Sequence, residues 1–557
     1  MGYESACGYG AFMSIDDGPG ASKRSLTGAG RPDEPGPVRL DLAPGRSSWF
    51  AHAVVATSHQ AAARAGVEVL RDGGSAVDAA ITTAACLTVL EPTSNGLGGD
   101  AFALVWDGAR LHGYNGSGRC PSRLDAETVW AAGLSEMPTH GWWSVTVPGQ
   151  IRAWADLHER FGRLDWARLL APAVDAAEHG QPVPPVIAAQ WATGVAAARR
   201  RRGPEFAGFL DTFAAGGAAP MVGTSPVLAG HARTLRRLAW AGADDFYTGE
   251  IAHAITDFSA ATGGALGPAD LAAHRGEWVE PITIDYRGFT VAEPPPNGQG
   301  VAALQALGML DRLDPDSGAT PGVHAQVEAM KLAFADAFAH VGDPTAVTVP
   351  DLLDPSYVSA RVRLIGTRAG HPGAGRPPGS GTVYLCVAAP DGQQVSFIQS
   401  NYAGFGSGVV VPGWGLALQN RGSGFVLDKG HPNRLAPGRR PFHTIIPGFL
   451  LRDGVAVGPF GVMGGHMQAQ GHVQLVLRTV AGSDPQSALD APRWRVEGER
   501  LLVEHGFDPA EVAELRGRGH AVTYDSDGFG RGQAIWRVAD GWLAGSERRC
   551  DGAAVGW

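Results

Sequence analysis

Thr382 stands where two kinds of chain meet. Before it, Pro377, Pro378, Gly379, Ser380 and Gly381 combine fixed φ, free φ and no apolar side chain, the composition of irregular backbone. After it, Val383, Leu385 and Val387 alternate with Tyr384 and Cys386, which predicts a strand. Pro390-Asp391-Gly392 then marks a tight turn into a second alternating run, QQVSFIQS. A turn centred on Asp391 sets Thr382 opposite Ser400, each nine residues away. Opposed residues of an antiparallel pair have Cα atoms about 4.5–5.5 Å apart, so two hydroxyls would meet at the open end of the hairpin. A bulge in the turn would slip that register by one.

The arrangement has a chemical use. If the Gly381–Thr382 peptide bond is broken, Thr382 gains a free α-amine beside its own hydroxyl. An α-amine titrates at about 7.7–8.0, so it serves as a base near neutral pH. One residue then supplies nucleophile and base together, while Ser400 holds the threonine oxygen. The unhindered Gly381 carbonyl suits attack by the same hydroxyl in self-cleavage through an ester. Read without its flanks, Thr382 equally fits a plain strand start, as threonine often does.

The elements around this boundary follow from pattern. Residues 1–48 are rich in Gly, Pro, Ser and charge without periodicity, which predicts a disordered tail. A short strand is expected in HAVVATSH (52–59), an amphipathic helix in 60–74, and a helix buried nearly all round in 75–92. A hairpin is expected around Asp107-Gly108, helices over most of 150–275, strands in 277–296, and helices at 323–341 and 467–480. Residues 366–381 hold no large apolar side chain and are expected to be an exposed linker.

Seven stretches then occur in one order: HAVVATSHQAAARAGVEVLRDGGSAVDAA, EPTSNGLGGDAF, PPPNGQGVAALQALGML, VEAMKLAFADAFAHVGDP, GTVYLCVAAPDGQQVS, FGSGVVVP and GVMGGHMQAQ. Together, from about residue 50 to the C-terminus, they resemble the γ-glutamyltransferase family of N-terminal nucleophile hydrolases. The resemblance implies an α+β fold, a four-layer αββα sandwich, made as a precursor that cuts itself into two interlocked subunits. The cut at Gly381–Thr382 would leave a large subunit, residues 49–381 beyond the tail and including the exposed linker 366–381, and a small one of residues 382–557. Thr382 matches the family's nucleophile, Ser400 the hydroxyl that bonds it, and Gly464 and Gly465 the backbone pair of the oxyanion hole.

The positions that read a γ-glutamyl group depart from the family pattern. Ser117 stands where those enzymes carry an arginine, with Arg119 two residues on. Arg421 and Gly424 replace a Gln and an Asp, His443 and Thr444 replace paired serines, and Tyr402 replaces a small Asn. Arg421 offers a planar fork for a carboxylate, although a structural salt bridge is an equal use of it; His443 equally fits a buried structural role. QNRGSGF and RRPFHT look more like the oxamate amidohydrolase branch. The expectation is an amidohydrolase acting on a small carboxylate-bearing amide such as oxamate, with water as acyl acceptor. A γ-glutamyltranspeptidase or glutathione hydrolase, a cephalosporin-acylase-like amidase, and an uncleaved, inactive relative that serves as an interaction protein are the alternatives.

Composition excludes other classes. The chain of 557 residues carries a formal charge of −10 with no basic stripe, which argues against nucleic acid. Ala76–Leu90, the most apolar run, is too short and too polar to span a bilayer. Five scattered cysteines and no secretory leader favour the cytoplasm. No G-x-S-x-G elbow, H-E-x-x-H pair or complete phosphate loop is present, so neither metal nor cofactor is expected.

Overall fold

Turn chemistry and capping fix the elements around Thr382. Gly392 adopts φ 90°, and the Ala389 and Gln393 backbones close the turn by a 2.9 Å hydrogen bond, joining strands Gly381–Ala388 and Gln394–Tyr402. Ser75 caps helix Ala76–Leu90 in a reciprocal box with Asp78, and every residue of that helix is buried. A helix of Ala, Thr and short aliphatics has no polar face to show water, so it must lie between other layers.

The computed structural model describes residues 48–313, 319–371 and 381–557. The predicted tail, apart from Ser48, and linker residues 372–380 lie outside the described residues. Ser48 itself is buried and donates to Asp484, and Trp49–Ala51 forms a strand, so order begins ahead of the strand expected at residue 52. Gly381, expected as the last exposed linker residue, is buried at the start of a strand, where a Cβ would meet the Gly404 backbone nitrogen at 2.5 Å.

Two seven-stranded antiparallel sheets stack between helical layers. The first runs Ala553–Gly556, Val54–Thr57, Gly381–Ala388, Gln394–Tyr402, Asp100–Trp106, Leu111–Asn115 and Glu277–Val279. The second runs Trp49–Ala51, Gly541–Ser546, Arg531–Val538, Val455–Met463, Gly448–Arg452, Phe289–Glu293 and Ile282–Tyr286. Helices Gln60–Arg71, Ala76–Leu90 and Trp166–His179 share a hydrophobic core with the first sheet; Gly300–Leu313, Val323–His340 and Met467–Val480 share one with the second. Between the sheets, Leu104 and Trp106 meet Ala292, Phe449 and Ala456, and the Tyr384 ring lies where a Cβ on Gly461 would fall. This is the four-layer αββα sandwich.

Both sheets mix strands from the two sides of Thr382. Breaking the chain there would leave two pieces sharing both cores, so separation would expose the apolar surface of each. The chain leading to the linker is also held at Gly366–Gly370. His324 Nε2 lies 2.9 Å from the Gly366 carbonyl, Lys331 Nζ donates to Gly370 O at 3.1 Å, Gly370 N donates to Glu328 at 2.8 Å, and Arg518 donates to Thr367 O at 3.1 Å. His324, Glu328 and His520 have ligand atoms within 4.8 Å of one another, and Lys331 Nζ sits among them, 2.8 Å from Glu328.

Candidate active site

The hairpin keeps its register from the turn outward, with Ala388 facing Gln394 and Val383 facing Gln399. The irregularity comes at the other end. Between Val383 and Gly381 the pairing shifts so that Gly381 faces Tyr402, and Ser400 and Asn401 together oppose Thr382. This bulge re-aims side chains at the strand end. The two hydroxyls meet as Thr382 Oγ1 and Ser400 Oγ, 3.1 Å apart and buried. Ser400 Oγ also donates to Gly381 O at 2.6 Å and accepts from Tyr402 N at 2.7 Å. A carbonyl only accepts, so the single Ser400 proton goes to Gly381 and the Thr382 hydroxyl is the donor of their shared bond. Ser400 thereby polarises the carbonyl just ahead of Thr382 while orienting the Thr382 oxygen.

Beyond the bulge, Tyr402 has φ 78°, rare for a residue with a large side chain and costing about 1–3 kcal/mol. Its ring faces the Arg421 guanidinium, with Cζ 4.0 Å from the ring centre. Arg421 is completely buried; Nη1 donates to Thr444 Oγ1 at 2.7 Å, whereas Nε and Nη2 have no partner among the described residues. Burial lowers its pKa to about 10, with Asp100 and Tyr402 opposing that shift.

Asp100 organises this corner. It pairs with Ser400 in the sheet; Oδ1 accepts from Gly118 N, Gly149 N and Gln419 Nε2 at 3.0, 3.1 and 2.9 Å, and Oδ2 lies 3.1 Å from His443 Nε2. His443 Nδ1 accepts from Ile445 N at 3.4 Å, so the ring proton sits on Nε2 and points to Asp100. Burial pushes Asp100 up to about 6 against the pull of Arg421, and burial with Arg421 and Arg440 nearby holds His443 well below its ordinary value.

Gly464 and Gly465 follow strand Val455–Met463 with φ 135° and 58°, conformations that suit glycine. Neither N–H donates to an acceptor among the described residues. Gln299 holds the loop, donating to Gly465 O at 2.8 Å and Thr444 O at 2.6 Å while its Oε1 lies 3.1 Å from His466 Nδ1. Gly381, Thr382, Gly464 and His466 line one cleft of about 790 Å³. A hydroxyl and a backbone N–H without a partner on the wall of one cleft, with a second such N–H next in the chain, are the kinds of group that acyl transfer through an oxyanion requires.

The structure therefore brings Thr382, Gly381 and Gly464 to one cleft, with Ser400 buried behind it on the Thr382 hydroxyl and Gly465 next in the chain but not on the cleft wall. It brings Tyr402, Arg421 and Thr444 into one contact group, with His443 tied in through Asp100. Ser117 lies in a neighbouring network, bonded to Asn115 Oδ1 at 2.7 Å and 3.4 Å from Asn297 Nδ2. Arg119 is not brought to the group: it bonds Asp343, Gly438 O and Glu277, each at 3.0 Å. Asp100 and Gln299 are functional candidates that pattern reading missed, although both sit inside motif blocks, NGLGGDAF and PPPNGQG.

A threonine at the head of a central strand in a four-layer αββα sandwich defines the N-terminal nucleophile hydrolase class. A family model described as gamma-glutamyltranspeptidase matches residues 62–557, and the chain belongs to that family. It is thus an enzyme of amide-bond hydrolysis. The chain is 37% identical over 522 residues to the glutathione hydrolase-like YwrD proenzyme of Bacillus subtilis, covering 90% of this chain and 98% of that one. It is 36% identical over 539 residues to the oxamate amidohydrolase proenzyme of Klebsiella pneumoniae, covering 92% and 99%. The crystal structure of cephalosporin acylase from Bacillus halodurans superposes with a TM-score of 0.88 at 48% identity, covering 93% of this chain and 98% of that one. Among the described residues no helix is long and apolar enough to cross a membrane.

Proposed function

We propose that the chain cuts itself between Gly381 and Thr382 and that the freed Thr382 then hydrolyses a small amide whose acyl part carries a carboxylate, oxamate being the simplest. One observation carries the substrate choice: Arg421 is completely buried with Nε and Nη2 unpartnered among the described residues. A buried guanidinium with no carboxylate bonded to it is costly, and a substrate carboxylate would supply the missing partner.

In self-cleavage Thr382 Oγ1 attacks the Gly381 carbonyl carbon, the C–N bond opens to an ester, and water releases a Gly381 carboxylate and the Thr382 α-amine. In turnover the Thr382 hydroxyl adds to the substrate carbonyl and its proton passes to that amine. Gly464 and Gly465 N–H groups receive the oxyanion. As the C–N bond breaks, the ammonium returns its proton to the leaving nitrogen, and ammonia or an amine departs. Water then attacks the ester, its proton goes to the amine, and the C–O bond breaks to restore Thr382. The two pieces stay joined as a heterodimer. We place the enzyme in the cytoplasm, in keeping with the free thiols of Cys86, Cys120, Cys386 and Cys550.

Thr382→Ala is expected to give one band on a denaturing gel and no turnover; two bands or residual hydrolysis would overturn the assignment. Ammonia release from oxamate is expected to exceed release of a γ-glutamyl chromophore. The reverse order would return the reading to a glutathione hydrolase. The cleft, far larger than oxamate, favours a second reading in which an acylated amine replaces the primary amide.

A further inference from the structure

Four arginines line the cleft that holds Thr382: Arg201, Arg495, Arg531 and Arg549. Three of them face carboxylates. Arg495 lies 3.4 Å from Asp525, Arg531 3.6 Å from Glu91, and Arg549 2.5 Å from Glu504. Arg201 differs. Its guanidinium makes no hydrogen bond or ion pair among the described residues, although the side chain is half-buried. It follows helix Pro185–Ala198, with its backbone N–H bonded to Ala198 O at 3.0 Å, and its Cζ stands 5.8 Å from the Phe209 ring centre. A Cβ on Gly408 (φ 77°) would fall 2.8 Å from Nη1, so a glycine there leaves the guanidinium its place against the backbone. The neighbouring titratable group in the cleft is His140, which burial and Arg201 push down to about 4, hence neutral at working pH. The corner thus holds a cation with no acid of its own.

We infer that Arg201 is a second anion subsite of this cleft, which recognises a carboxylate carried by the leaving amine. The substrate class is then an N-acyl amino acid, anionic at both ends: the acyl carboxylate on Arg421, the amine carboxylate on Arg201. The part concerning Arg421 rests on the function proposed above. The part concerning Arg201 does not, since the two guanidiniums belong to different surroundings: Arg421 behind Tyr402 and completely buried, Arg201 on the cleft wall.

The test compares leaving amines of equal size with and without the charge. Steady-state kinetics are measured for N-oxalylglycine against N-oxalylglycinamide, and for γ-glutamylglycine against γ-glutamylglycinamide. The self-cleaved enzyme is expected to favour the glycine member of a pair by roughly tenfold in kcat/KM, carried mainly by KM, as one charged hydrogen bond allows. In Arg201→Gln that ratio is expected to fall toward one, with two bands on a denaturing gel reporting that the variant folds and matures. Equal turnover of both members by the unaltered enzyme, or a preference that survives Arg201→Gln, would overturn the subsite. A preference seen only on the γ-glutamyl pair would keep the Arg201 subsite and refute the reading of Arg421 instead.

Discussion

Arg421 and Arg493 are both completely buried, yet the fold treats them differently. Arg493 donates to Phe529 O at 2.9 Å, to Leu489 O at 3.3 Å and to Glu547 at 2.5 Å, so its charge and its donors are answered within the chain. Arg421 has one hydroxyl, Thr444, and one aromatic face, Tyr402; two of its nitrogens are left over among the described residues. Desolvation lowers the pKa of both. One arginine is therefore part of what holds the molecule together. The other lies behind Tyr402 with two donors that nothing among the described residues answers, so a ligand carboxylate would satisfy what the chain leaves open.

The largest expected effect is at Arg493. Arg493→Ala leaves Glu547 buried, with Arg549 3.4 Å away as its remaining cation. The expected cost is about 3–5 kcal/mol of stability, read as a large fall in apparent melting temperature and a shorter half-life on heating. Arg421→Met should do the opposite to the fold. Removing an unanswered buried charge is expected to leave the melting temperature unchanged or higher, while kcat/KM for a carboxylate-bearing amide falls by about 30-fold or more, equivalent to roughly 2 kcal/mol or above. If Arg421→Met melts as early as Arg493→Ala, the contrast between the two arginines is false and Arg421 is structural.

Local pattern carried the fold a long way and the site only part of it. The Pro390-Asp391-Gly392 turn and the alternation around it were enough to set Thr382 against Ser400, because hairpin register is a short-range property. The turn itself holds no slip; the one irregularity of the pairing lies at Gly381–Val383, where the chain leaves the sheet and no turn residue announces it. Order at Ser48 was missed because its partner, Asp484, is 436 residues away. The same distance problem hid Asp100, whose contact with His443 spans 343 residues, and Gln299, which ties two loops of the second half of the chain. Arg119 looked close to the pocket by counting along the chain, but Glu277 and Asp343, 158 and 224 positions on, claim its donors. Pairing partners of charged side chains are set by tertiary packing, which no local period encodes.

The smallest expected effect is on pH dependence, since Arg493 keeps a carboxylate bonded to it whereas Arg421 only feels the charge of one, Asp100. Burial raises Asp100 to about 6, so the folded chain holds its proton more tightly than the unfolded chain does. The stability this contributes is present below the ordinary value of 3.8 and is lost as pH rises through about 6. The same proton matters to the pocket. With Asp100 neutral, the field of Arg421 is unopposed and an incoming carboxylate is held more tightly; with Asp100 ionised, the two anions compete for one cation. KM for a carboxylate amide is therefore expected to rise a few-fold, up to roughly tenfold, between about pH 5 and 7. Over the same range kcat should climb, because in the proposed mechanism the freed Thr382 amine has to lose its proton near about 7.7–8.0 to act as base. The two trends have different origins and separate in the kinetics. Asp100→Asn is expected to flatten the rise in KM and leave the climb in kcat, whereas a KM that still rises in that variant would show that another group opposes Arg421.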